Sequence, residues 1–118
     1  MDRDYSSLLP KVLNKLFPDV SIRQEVIGIL SSYGHEDFHR EVDRVRLGIL
    51  KLSGADLAEI KRWTNVACSD FRDLLVDAEY PLTFSKDRLK ENDPEKYANL
   101  EKKERDQYDQ WLSNILAA

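Results

Sequence analysis

Two runs of apolar residues, each stepping by alternating threes and fours, meet at Ser53-Gly54-Ala55-Asp56, and that junction constrains the fold more than any other stretch. Before it the apolar positions are Phe38, Val42, Val45, Ile49 and Leu52. After it they are Leu57, Ile60, Ala67, Phe71, Leu74 and Ala78, with Thr64 in the vacant slot. This spacing places each set along one side of an α-helix. The break between them predicts an antiparallel helical hairpin over 36–80, with Asp56 or Ser53 capping the return helix. Residues 57–79 contain neither glycine nor proline and read as one helix, about 35 Å long at 1.5 Å per residue. Pro81 closes it, because the residue before a proline is driven out of helical geometry.

The flanks carry further start and stop signals. Ser7 with Pro10 in the first turn predicts a helix whose apolar face is Val12, Leu13, Leu16 and Phe17, stopped at Phe17-Pro18-Asp19. Ser21 and Gln24 have the spacing of a capping box for a second helix, striped by Ile22, Val26, Ile29 or Leu30, and Tyr33, with Gly34 as its left-handed end. Past Pro81, residues 85–91 fit a short helix, and Asp93-Pro94-Glu95 starts a last one. That helix carries Tyr97, Leu100, Tyr108, Trp111, Leu112, Ile115 and Leu116, while 101–107 is wholly polar and reads as solvated. Gly28 and Gly48 each cost a helix interior about 1 kcal/mol, which predicts a close approach by a neighbour such as Trp63 or Phe71. No alternation or tight-turn dipeptide marks a strand. The expectation is an all-α small helical bundle of four main helices plus one short helix. It forms a single domain over 1–118, with 36–80 as spine and 82–118 as an extension ending in a docking helix.

Charge and composition narrow the function classes. The chain carries 18 Lys and Arg against 22 Asp and Glu, a net charge of −4, and no segment is basic. Nucleic-acid binders concentrate cations on one face to displace phosphate counterions, so this balance counts against one. No apolar run approaches the roughly 20 residues needed to cross a bilayer, and Met1-Asp2-Arg3-Asp4 lacks the basic start of a secretory signal. With Cys68 as the single cysteine, no internal disulfide can form, which suits a reducing, cytoplasmic setting.

One literal catalytic motif is present. His35-Glu36-Asp37-Phe38-His39 matches H-E-x-x-H, in which two histidines one helical turn apart hold zinc and the glutamate activates water. It defines the alternative of a small zinc-dependent hydrolase, with His35 and His39 as metal ligands, Glu36 as catalytic residue and a generic third ligand such as Glu59. Gly34 stands against it by ending the preceding helix and leaving His35 at or before the next cap. Glu36 and Asp37 then serve as first-turn acids, Glu36 also placed to pair with Arg40. Cys68 follows a seam residue, which predicts a partly buried apolar role rather than a nucleophilic one. Asp70, Asp73, Asp77 and Glu79 read as a solvated acidic face. A helix-turn-helix over 22–46 would present His39, Arg40, Asp43, Arg44 and Arg46 to DNA, but Glu36, Glu41 and Asp43 would meet phosphate there as well.

The strings RVRLGILKLSGADL at 44–57, DFRDLL at 70–75 and AEYP at 78–81 resemble a group of small uncharacterised bacterial helical proteins with the signature RVRLxILKLSGxDL, RDFRDLL, AEYP. The likeness covers about residues 36–81. Gly48 and Ala55 stand where those proteins read alanine and glycine, and the tail after Pro81 looks like an addition. The resemblance implies a bacterial, helical, cytoplasmic protein and carries no chemistry. Seams outnumber catalytic candidates, so the leading expectation is a non-enzymatic interaction module or homodimer without a cofactor. Trp111, Leu112, Ile115 and Leu116 form an amphipathic end that packs either on its own core or on another chain.

Overall fold

Five helices of this chain begin at an aspartate that caps them. The computed structural model describes residues 3–81, 83 and 87–117, and seven helices follow in order among them. They are α1 (Tyr5–Leu16), α2 (Val20–Leu30), α3 (Val42–Ser53), α4 (Leu57–Ser69), α5 (Phe71–Glu79), α6 (Asp87–Asn92) and α7 (Pro94–Ala117). No strand occurs among the described residues, so the all-α class holds. The carboxylates of Asp4, Asp19, Asp56 and Asp70 accept the backbone N–H of Ser7, Ile22, Glu59 and Arg72, and Asp93 accepts from Lys96. Ser7 and Ser21 therefore lie inside first turns rather than at the caps expected of them. A carboxylate at the positive end of the helix adds a charge term that a hydroxyl lacks.

The expected two-helix spine is corrected in two places. The return strand of the hairpin is not one 23-residue helix, because Asp70 adopts extended backbone (φ −157°, ψ 102°) while its carboxylate starts α5. Nor does the outgoing helix begin at 36: Glu41, in left-handed backbone at φ 51°, precedes α3 without a side-chain cap. Phe38 thus leaves the seam and stands 67% exposed.

α3 is the central element, and α1, α4 and α5 all pack on it. Leu47, Gly48, Ile49 and Leu50 are all buried, and four consecutive buried residues point to every side of a helix. α3 is therefore buried on all sides there rather than along the single apolar stripe its spacing predicts. Gly48 permits a close crossing with α5. A Cβ there would lie 3.1 Å from Leu74 Cδ2 and 3.2 Å from Ala78 Cβ, so the close approach is real but comes from Leu74 and Ala78 of α5 rather than from Trp63 or Phe71. Gly28 has nothing within 4 Å and is simply tolerated. Thr64 fills its seam slot without an orphan hydroxyl, since Oγ1 donates to the Ile60 carbonyl at 2.7 Å.

α7 closes the fold by packing on α1 and α5. Leu112 is buried, and Trp111, Ile115 and Leu116 pack partly buried on the same core. Of the two alternatives for the apolar C-terminal end, its own core is the one it packs on. The polar middle of α7 is not wholly solvated: Glu104 is 3% exposed. Its two oxygens accept from Thr83, the backbone N at 3.1 Å and Oγ1 at 2.6 Å, which supplies the hydrogen bonds a buried carboxylate requires. α6 packs on α7.

Candidate functional site

The residues between α2 and α3 form a non-helical loop braced from inside. Tyr33 is fully buried. Its hydroxyl donates to the Arg40 carbonyl at 2.6 Å and accepts the Arg40 N–H at 3.1 Å. The Arg46 guanidinium donates to the Tyr33 carbonyl through Nε and Nη2, at 3.0 and 2.7 Å. His39 lies on the Tyr33 ring, centroids 4.3 Å apart and planes 19° from parallel, and its Nδ1 accepts the N–H groups of Gly34 and Glu36. Gly34 has φ +107°, and a Cβ there would meet Arg46 Nη2 and Val42 Cγ1 at 2.8 Å. Only glycine serves at that point.

This geometry removes the basis of the zinc alternative. His35 and His39 are not on a helix, so the one-turn spacing that would converge them on a metal is absent, and His39 Nδ1 is engaged by backbone. Glu36 is exposed on the same loop. No group of three His, Cys, Asp or Glu side chains that could share a metal occurs among the described residues. The helix-turn-helix layout fails in a similar way. His39 and Arg40 precede α3, Arg46 is committed to Tyr33, and Arg44 is held bidentately by Glu79 at 2.6 and 2.7 Å.

What the brace does present is Phe38. Its ring packs edge-on against His39, centroids 4.9 Å apart, and borders a groove of about 320 Å3 that also includes Tyr33, Ala67, Cys68 and Phe71. Cys68 is exposed, contrary to its expected partial burial. Its thiol donates to the Ser32 carbonyl at 3.6 Å, and what desolvation it has raises its pKa, away from nucleophilic reactivity.

A second concavity, about 660 Å3, lies between the N-terminal segment, the start of α3, the end of α5 and α7. Across its floor the Arg44–Glu79 pair ties α3 to α5, with the Glu79 side chain only 9% exposed. Glu79 is therefore not part of a solvated acidic face, and Asp70 is a cap; Asp73 and Asp77 do remain exposed. Arg3 donates to Asp109 at 2.8 and 3.0 Å and lies over the Tyr108 ring, 4.3 Å from its centroid. Tyr108 is 1% exposed, and its hydroxyl has no hydrogen-bond partner among the described residues. Burial pushes that phenol well above the ordinary tyrosine range. The cleft escaped notice in the sequence because its α7 wall, Tyr97, Glu101, Glu104, Arg105 and Tyr108, has the spacing of a buried stripe filled with polar and aromatic residues.

No family model matches the chain, and neither the curated proteins nor the solved structures include a match to it. No helix among the described residues is long and apolar enough to cross a membrane.

Proposed function

We propose that this chain is a non-enzymatic, self-associating interaction module of the cytoplasm, and that the face carrying Phe38 is its contact surface. The observation that carries the reading is the 67% exposure of Phe38 on a loop whose neighbouring polar groups are bonded inward. Exposed aromatic rings on pre-ordered backbone are the usual anchors of interfaces, since little conformational freedom remains to be lost on contact. A second copy is the partner this surface suits. Phe38 stands beside its own groove, so a two-fold axis along the groove sets each ring into the other copy's hollow, the self-complementary arrangement of a closed dimer.

Sedimentation across a wide concentration range tests this. The wild-type chain is expected to convert reversibly from monomer to dimer, and Phe38→Ser to stay monomeric with an unchanged melting temperature. A wild-type chain that is monomeric at every concentration, or a Phe38→Ser variant that dimerises equally, contradicts the proposal.

A further inference from the structure

The cleft beside α7 shares no residue with the Phe38 groove, and it holds polar groups that the fold leaves unused. The Tyr108 hydroxyl is the clearest. It is buried without a partner among the described residues, within electrostatic reach of the cleft residues Arg3, Tyr5, Arg44 and Glu79. Such a group costs stability, and phenylalanine would fill the same space without that cost. Glu101 and Arg105 are a second sign. They stand one turn apart on α7 with the acid first, the order that pairs best on a helix, yet no hydrogen bond or ion pair joins them.

The remaining charges are committed elsewhere. Arg44 is held by Glu79 and also lies 4.0 Å from the carboxylate of Glu41, another acid of the cleft, Arg3 is held by Asp109, and Glu104 by Thr83. That leaves one cation, one carboxylate, a neutral hydroxyl and the rings of Tyr5, Tyr80 and Tyr97 facing a cleft of about 660 Å3, a volume within the ordinary range of small-molecule sites. A simple anion drawn to Arg105 would meet Glu101, and a simple cation drawn to Glu101 would meet Arg105. A molecule bearing both charges satisfies both, and tyrosine faces favour its ammonium end.

We propose that this cleft binds a small amino-acid-like zwitterion, with its ammonium against Glu101 and the tyrosine rings and its carboxylate at Arg105. The Tyr108 hydroxyl completes the hydrogen bonding. The site is independent of self-association, so either property can fail without the other.

The test is an NMR shift titration of the full chain with glycine, 4-aminobutyrate and 6-aminohexanoate, which span a range of charge separations, and with methylammonium and acetate as single-charge controls. At least one zwitterion is expected to bind about tenfold tighter than either control, equivalent to about 1.4 kcal/mol, with shifts centred on Tyr97, Glu101, Arg105 and Tyr108. Glu101→Gln and Tyr108→Phe are each expected to weaken it several-fold while melting no lower than wild type. Zwitterions that bind no tighter than methylammonium or acetate overturn the proposal. So does unchanged binding in both variants, and the exposed position of Glu101 keeps that arm readable even if Tyr108→Phe misfolds.

Discussion

The 31–41 loop and the α7 cleft use hydrogen bonds in opposite ways. In the loop the buried tyrosine is saturated: the Tyr33 hydroxyl both donates to and accepts from Arg40, His39 Nδ1 takes two backbone donors, and the apolar ring of Phe38 stands 67% exposed. In the cleft a buried tyrosine of the same chemistry is left without a partner, beside an acid and a base that do not pair. A surface of the first kind offers shape and apolar area. One of the second kind offers unspent donors and acceptors, which is the property of a site for a polar molecule.

The contrast can be broken at several points. The largest effect is expected at the bond that holds the cleft floor. Glu79→Gln removes the charge that pairs with a half-buried Arg44, and is expected to cost about 2–3 kcal/mol in urea unfolding, discounted from the full value for a buried pair because Arg44 retains some access to water. A loss below about 0.5 kcal/mol would mean that the pair does not tie α3 to α5.

A smaller effect is expected at alkaline pH. Desolvation raises the pKa of both Tyr33 and Tyr108. Their contribution is complete below the ordinary value of about 10 and is lost as pH rises above it, because the unfolded chain releases those protons first. Wild type is expected to lose stability above about pH 10, and Tyr108→Phe to lose up to about 1.4 kcal/mol less per pH unit there. Equal slopes for the two proteins would place the Tyr108 hydroxyl in water.

What the sequence revealed was chemistry acting within a few residues. The turn at Gly54 and Ala55, both with left-handed backbone at φ 59° and 64°, the Asp56 cap, the stop at Pro81 and the Asp93-Pro94 start are all decided locally, and all were legible. A glycine would fit this backbone better than Ala55 does, since a left-handed residue with a Cβ costs about 1 kcal/mol. The break at Asp70 was hidden because the apolar stripe runs through it unbroken. Its one signal was an aspartate followed three residues later by Asp73, the pattern of a cap and a first-turn acid. Phe38 was misplaced by extending the α3 stripe back through residues that the Tyr33 brace holds out of the helix. Glu104 and Tyr108 depend on Thr83 and Arg3, contacts of 21 residues and more in separation, and no local pattern reports such pairings.

The central claim, that one buried tyrosine is spent by the fold and the other is held for something else, is tested by making the same change at both. Tyr33→Phe leaves the Arg40 N–H and carbonyl without their partner and is expected to lower the unfolding free energy by about 1–3 kcal/mol. Tyr108→Phe removes an unsatisfied hydroxyl and is expected to leave it unchanged or raise it by up to about 1 kcal/mol. Parallel urea unfolding of the two variants gives the comparison directly. Opposite or clearly separated effects support the account, and equal losses at both positions contradict it.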